Sequence, residues 1–207
     1  MKTLAQDARY LWYTIFHPFN GFYELRFRRK KNTLLIVLLF ALYGGVQILK
    51  THYAGMLVAG DTYGTNNAVL FAVTVFPLLL FALSNWSVTT LFDGSGSLGD
   101  VLMVLAYALA PKIIIDLLYT AISNILVLEE LVIAQVLSGF GMVLFGLLVF
   151  CGLCVVHEYL PAKNVVTLLA TVAAALVILF IAMLYLHIIG KVVGFVSTVI
   201  LEIVNRR

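Results

Sequence analysis

Gly94, Gly96 and Gly99, in the stretch LFDGSGSLGDV, spell G-x-G-x-x-G, and Val101 extends the string to G-x-G-x-x-G-x-V. Glycines so spaced let backbone N–H groups approach a phosphate. Asp116 follows at the distance where a dinucleotide fold places its ribose-binding acid. Cys151, Cys154 and His157, in CGLCVVHE, recur every three residues. On a helix they share a face and offer two thiolates and an imidazole to a metal. Lys112 and Asp116 stand four apart, again one helical face, with opposite charges that can hold a proton or a polar solute.

The elements that would position these groups are not those of a soluble enzyme. Of 207 residues, 63% are hydrophobic and only 11% charged, and the mean hydropathy is +1.07. A soluble domain is roughly half apolar and about a quarter charged, so this chain cannot cover a water-facing surface. Apolar runs long enough to cross a bilayer lie at about 33–49, 68–90, 101–127, 131–156 and 165–186. The fold class is therefore all-α: a polytopic integral membrane helical bundle of five spans. Residues 188–207 can form a short sixth span, an extension of the fifth helix or an interfacial helix; a C-terminal sixth helix, as a short span or an interfacial helix, is expected because of Arg206 and Arg207. Residues 1–31 form an N-terminal segment at the interface and 32–207 the transmembrane domain. Tyr, Trp and Phe mixed with Arg suit the headgroup level, and Pro18 and Gly21 are expected to break the segment.

Charge sets the orientation. Seven of the thirteen Lys and Arg residues (Lys2, Arg9, Arg26, Arg28, Arg29, Lys30 and Lys31) precede the first span. The cluster from Arg26 to Lys31 anchors the chain to anionic lipid on the cytoplasmic side. The glycine loop and HEYLPAKN then face the cytoplasm, and Glu129 and Glu130 face outward. Lys50 opposes this orientation but is outweighed by the cluster.

This setting changes what the three constellations can do. A dinucleotide loop needs a strand before it and a βαβ unit around it. Here one membrane helix precedes the glycines and another follows, so they read as a turn, with no nucleotide bound. The twelfth position from Asp93 is Val104, which excludes a calcium loop. The cysteines lie in an apolar span without a fourth ligand and read as small hydrophobes. No cofactor, metal or nucleic acid is expected, and no set of catalytic side chains can be assembled. Pro111, Lys112 and Asp116 remain as a candidate intramembrane polar node. A charge at mid-membrane opposes insertion by about 2.5–3.5 kcal/mol, so the pair is expected to face the bundle or a wet cavity.

The stretches HPFNGFYELRFRRKKN and NWSVTTLFDGSGSLGDVLMVLAYALAP resemble bacterial members of the Yip family, relatives of the Rab-GTPase-interacting Yip proteins of eukaryotes. Asn85, Trp86, Asp93, Gly94, Gly96, Tyr107, Ala108 and Pro111 carry the resemblance, which spans nearly the whole chain. It implies about five membrane helices, a cytoplasmic N-terminus and no catalytic residues. The bacterial type looks like the small membrane proteins often encoded beside carbohydrate ABC importers. The resemblance thus implies a non-enzymatic adaptor or accessory protein of the bacterial plasma membrane, whose partners are membrane lipid and another membrane complex, such as an ABC importer. The alternative from the residues alone is a small transporter or channel centred on Lys112 and Asp116.

Overall fold

Helix α5 (Leu98–Ser123) is the axis of the molecule: from Val101 to Ile113 all residues but Leu102 are buried. The computed structural model describes residues 4–29, 31–55, 57–58 and 65–205. Six further helices surround or flank α5: α1 (Leu4–Phe16), α2 (Pro18–Phe27), α3 (Thr33–Tyr53), α4 (Asn67–Leu91), α6 (Leu131–His157) and α7 (Pro161–Asn205). A 3₁₀ turn at Leu128–Glu130 leads into α6. No strand occurs among the described residues. Five helices (α3 to α7) are long and apolar enough to cross a membrane, as the apolar runs predict.

Local chemistry places the helix ends. Asn32 caps α3 by accepting from Leu35 N–H at 3.3 Å, and Asn66 caps α4 by accepting from Ala68 N–H at 2.9 Å. Ser97 and Asp100 form a reciprocal capping box, so the last serine of the glycine loop is the N-cap that starts α5. Pro18 and Pro161 open α2 and α7, where a missing N–H is harmless. Helix α6 ends at Glu158, in the left-handed region at φ 56°, with Tyr159 N–H returning to Cys154 O at 2.9 Å.

Three expectations need correction. Gly21 does not break the N-terminal segment; it lies inside α2, where a Cβ would come within 2.8 Å of Thr14 Cα, so it lets α1 and α2 pack closely. The segment is also more than an interfacial strap, because Phe22 is wholly buried in the core beside Val104 and Gly152. The third span ends at Ser123 rather than Val127. At the C-terminus the expected helix is present, but it continues the fifth span without a turn. Gly190 and Gly194 are the only helix-weakening residues in that stretch, and single glycines cost about 1 kcal/mol without breaking a helix. The resulting 45 residues span about 67 Å at 1.5 Å each, against a hydrocarbon layer of about 30 Å. Every residue from Ile181 to Thr198 is exposed. Arg206 and Arg207, on which the separate sixth helix rested, lie outside the described residues.

Candidate functional site

Two polar clusters lie inside this apolar bundle. The first is built around Asp116, whose side chain is wholly buried. Lys112, one turn earlier on α5, places Nζ 3.0 Å from Oδ1 and 2.8 Å from Oδ2. Lys50, from the end of α3, approaches Oδ1 at 2.9 Å, and Gln47 Nε2 donates to Oδ2 at 2.8 Å. Lys50 also stands 4.3 Å over the Tyr119 ring. One carboxylate thus receives two ammonium groups and an amide. Lys112 and Asp116 face the bundle, and α5 runs unbroken through Pro111.

Gln47 and Lys50 are the residues that sequence reasoning missed. Lys50 looks like an unfavourable orientation charge when read alone. The available signal is its spacing: Gln47 and Lys50 are three apart, on one face at the end of a span, and a cation there needs an acid.

The second cluster sits at the end of the bundle where α4, α5, α6 and α7 meet the glycine loop and the turn after α6. Asn85 and His157 are both almost fully buried. His157 Nε2 lies 3.1 Å from Asn85 Oδ1, and Asn85 Nδ2 donates to Thr171 Oγ1 at 3.0 Å. Because the Asn85 amide nitrogen is committed to Thr171, its oxygen faces His157. That makes Nε2 the protonated ring nitrogen and leaves Nδ1 as a lone pair without a hydrogen-bond partner. This lone pair points at the glycine loop. A Cβ at Gly94 would fall 2.8 Å from Nδ1 and 2.7 Å from the Tyr159 hydroxyl; at Gly96 it would fall 2.5 Å from Val156 Cγ1 and 2.8 Å from His157 Cε1. The loop's glycines therefore make room for an imidazole and a phenol of the same chain. Gly99 differs: it lies in the first turn of α5, with nothing nearer than 3.8 Å to its added Cβ.

Tyr159 closes the cluster by donating to Phe92 O at 2.8 Å. Burial, then the nearby Asp93 charge, pushes its phenol above the ordinary tyrosine value, so it stays a donor. Asp93 itself is exposed and holds the left-handed turn at φ 55°. Arg26 of α2 lays Nη2 3.0 Å from Ser95 O and 2.9 Å from Ser95 Oγ, and pairs with Glu158 at 3.5 Å. Ser95 Oγ in turn donates to Glu158 Oε1 at 3.0 Å. Lys31 binds Asp100 at 2.7 Å and Ser97 Oγ at 3.1 Å. The basic cluster is thus divided: Arg26 and Lys31 tie the N-terminal segment to the glycine loop, while Arg28 is exposed. Lys30 lies outside the described residues.

The remaining signature residues scatter. Trp86 faces outward, and Tyr107 is buried at the centre of α5. Cys151 and Cys154 are free thiols, and His157 is turned to Asn85 rather than to them. No group of three His, Cys, Asp or Glu side chains fit to hold a metal occurs among the described residues. No curated protein and no solved structure gives a significant match to the chain. The Yip1 domain matches residues 12–194, a range that takes in both polar clusters, four spans and most of the fifth, and the chain belongs to that family of membrane proteins.

Proposed function

We propose that the protein is a non-enzymatic membrane adaptor, presenting a fixed composite face to another membrane complex. The observation that carries this reading is the Arg26 staple. One guanidinium joins α2, the glycine loop at Ser95 and the turn after α6 at Glu158. Segments far apart in sequence thereby become one surface, and Asp93, Ser95, Glu158 and Lys163 stand exposed on it. A docking protein needs such a preorganised polar face. The buried His157–Asn85–Thr171 chain beneath it fixes the helices that carry it.

The N-terminal positive charge favours a cytoplasmic position for this face in a bacterial plasma membrane. An ABC importer is the partner suggested by the family resemblance. The test is purification in mild detergent, with mass-spectrometric identification of the proteins that remain bound. Importer permease or ATPase subunits should be recovered with the wild type and lost with Arg26→Ala. Recovery of the same subunits with Arg26→Ala at equal yield, or of none with the wild type, would refute the reading.

One observation favours a second reading, a small transporter or channel. The Asp116 node holds two lysines to one acid, and an excess positive charge within the bundle is the kind of group that attracts an anion. Flux of a small anion into liposomes containing the protein alone, lost with Lys50→Met, would favour it over the adaptor.

A further inference from the structure

Helix α2 carries a second, aromatic face beside the Arg26 staple. Phe19, Tyr23 and Phe27 recur there every four residues, each about half exposed. They form one wall of a groove of about 500 Å³. Cys154 and Val155 of α6, with Glu158, Tyr159 and Pro161 of the following turn, form the other. The lining is mostly hydrocarbon and aromatic ring. The groove lies where α6 ends and α7 begins, the level at which two spans leave the apolar layer. Aromatic rings with a polar edge concentrate at that depth because the ring prefers hydrocarbon and the edge prefers water.

Two cations stand on rings of this lining. Arg26 Cζ is 4.7 Å above the Phe27 ring, and Lys163 Nζ is 4.5 Å above the Tyr159 ring. They are not equivalent. Arg26 is engaged by Ser95 and Glu158. Lys163 is exposed, and no carboxylate lies within ion-pair distance of it among the described residues. The Glu158 carboxylate in the lining is paired with Arg26 at 3.5 Å, so the groove has an apolar floor, a location at headgroup depth and one uncompensated ammonium at its rim.

We propose that the groove seats an acyl chain of an anionic phospholipid, with the lipid phosphate on Lys163. The charge at the rim selects the anionic headgroup, and the floor takes the chain. The site shares Lys163 with the docking face but needs no protein partner, so it can be tested on the purified chain alone.

The experiment is native mass spectrometry of the purified full chain in uncharged detergent, titrated with dioleoylphosphatidylglycerol or dioleoylphosphatidylcholine. The expected result is a saturable single-lipid adduct, with phosphatidylglycerol preferred by about fivefold, the contribution of one cation near an anionic surface. Lys163→Glu should abolish the preference while phosphatidylcholine still binds, and Lys163→Arg should keep it. Val155→Trp, which fills the floor, should remove the adduct with both lipids. The preference is a ratio between two lipids on one preparation, so a general loss of fold cannot imitate its change. Equal binding of the two lipids by the wild type, or a preference that survives Lys163→Glu, would overturn the proposal. Displacement of the lipid by glycerol phosphate alone would also overturn it, because the chain would then contribute nothing.

Discussion

Lys50, near the end of α3, meets the wholly buried Asp116 on α5 at 2.9 Å. The carboxylate is thereby shared between two helices rather than closed within one. Removing one partner of a buried ion pair costs about 3–5 kcal/mol, whereas replacing the whole group with apolar residues of similar volume is often neutral. Asp116→Leu strands two ammonium groups and should be the most destabilising single change. The double change Lys112→Met with Asp116→Leu should recover only part of the loss, because Lys50 remains without its acid. The triple change that adds Lys50→Met should restore stability to near the wild type. Thermal unfolding in detergent reads all three. A double mutant as stable as the triple would show that Lys50 does not depend on Asp116.

The three glycines of the loop should respond differently to the same added methyl group. At Gly96 a Cβ is 2.5 Å from Val156 Cγ1, and at Gly94 it is 2.7 Å from the Tyr159 hydroxyl. Overpacking of this kind typically costs about 1–3 kcal/mol, so Gly94→Ala and Gly96→Ala should both lower the melting temperature. Gly99→Ala meets open space inside the first turn of α5 and should stabilise by up to about 1 kcal/mol. A uniform response to the three substitutions would contradict the packing described.

Asn85 and His157 should behave as one unit. Either truncation leaves the other's buried polar atom unsatisfied, a loss of about 1–3 kcal/mol. The double substitution to alanine should cost less than the sum of the two, with a coupling of about 0.5–3 kcal/mol in a double-mutant cycle. Simple additivity of the two losses would show that the 3.1 Å contact contributes nothing to stability.

Orientation is testable by cysteine labelling. In a variant with Cys151 and Cys154 replaced by alanine, Ser95→Cys should resist an impermeant reagent in intact cells and react after the membrane is opened. Glu129→Cys should react in both. The reverse pattern would place the basic cluster outside and remove the ground for a cytoplasmic docking face.

The spans were legible because a bilayer imposes a length. Runs of about twenty apolar residues announce themselves, and Pro18, Asn32, Asn66, Ser97 and Pro161 mark helix boundaries by local chemistry alone. Helical spacing likewise put Lys112 and Asp116 on one face. It could not supply Gln47 and Lys50, which stand 69 and 66 positions before Asp116, because periodicity tells which face a residue occupies and not which helix opposes it. His157 shows the same limit. Its spacing from Cys151 and Cys154 suggests a shared ligand, yet its partner is Asn85, seventy-two positions earlier. The tail reads as helix in the sequence and is helix in the structure, but its boundary with the fifth span was inferred from terminal charges, without a proline or turn to mark it.

The helix that carries the Asp116 node is also the most deeply buried of the five spans, and this bears on how the chain is made. When α5 leaves the ribosome, α6 and α7 have not been synthesised, so much of the protein that will bury it does not yet exist. Lys50 and Gln47, however, lie on α3 and are already in place. Lys112 reaches Asp116 within α5 itself. Every donor to the carboxylate is therefore available by the time α5 is complete, and the acid need not wait in lipid for a partner translated later.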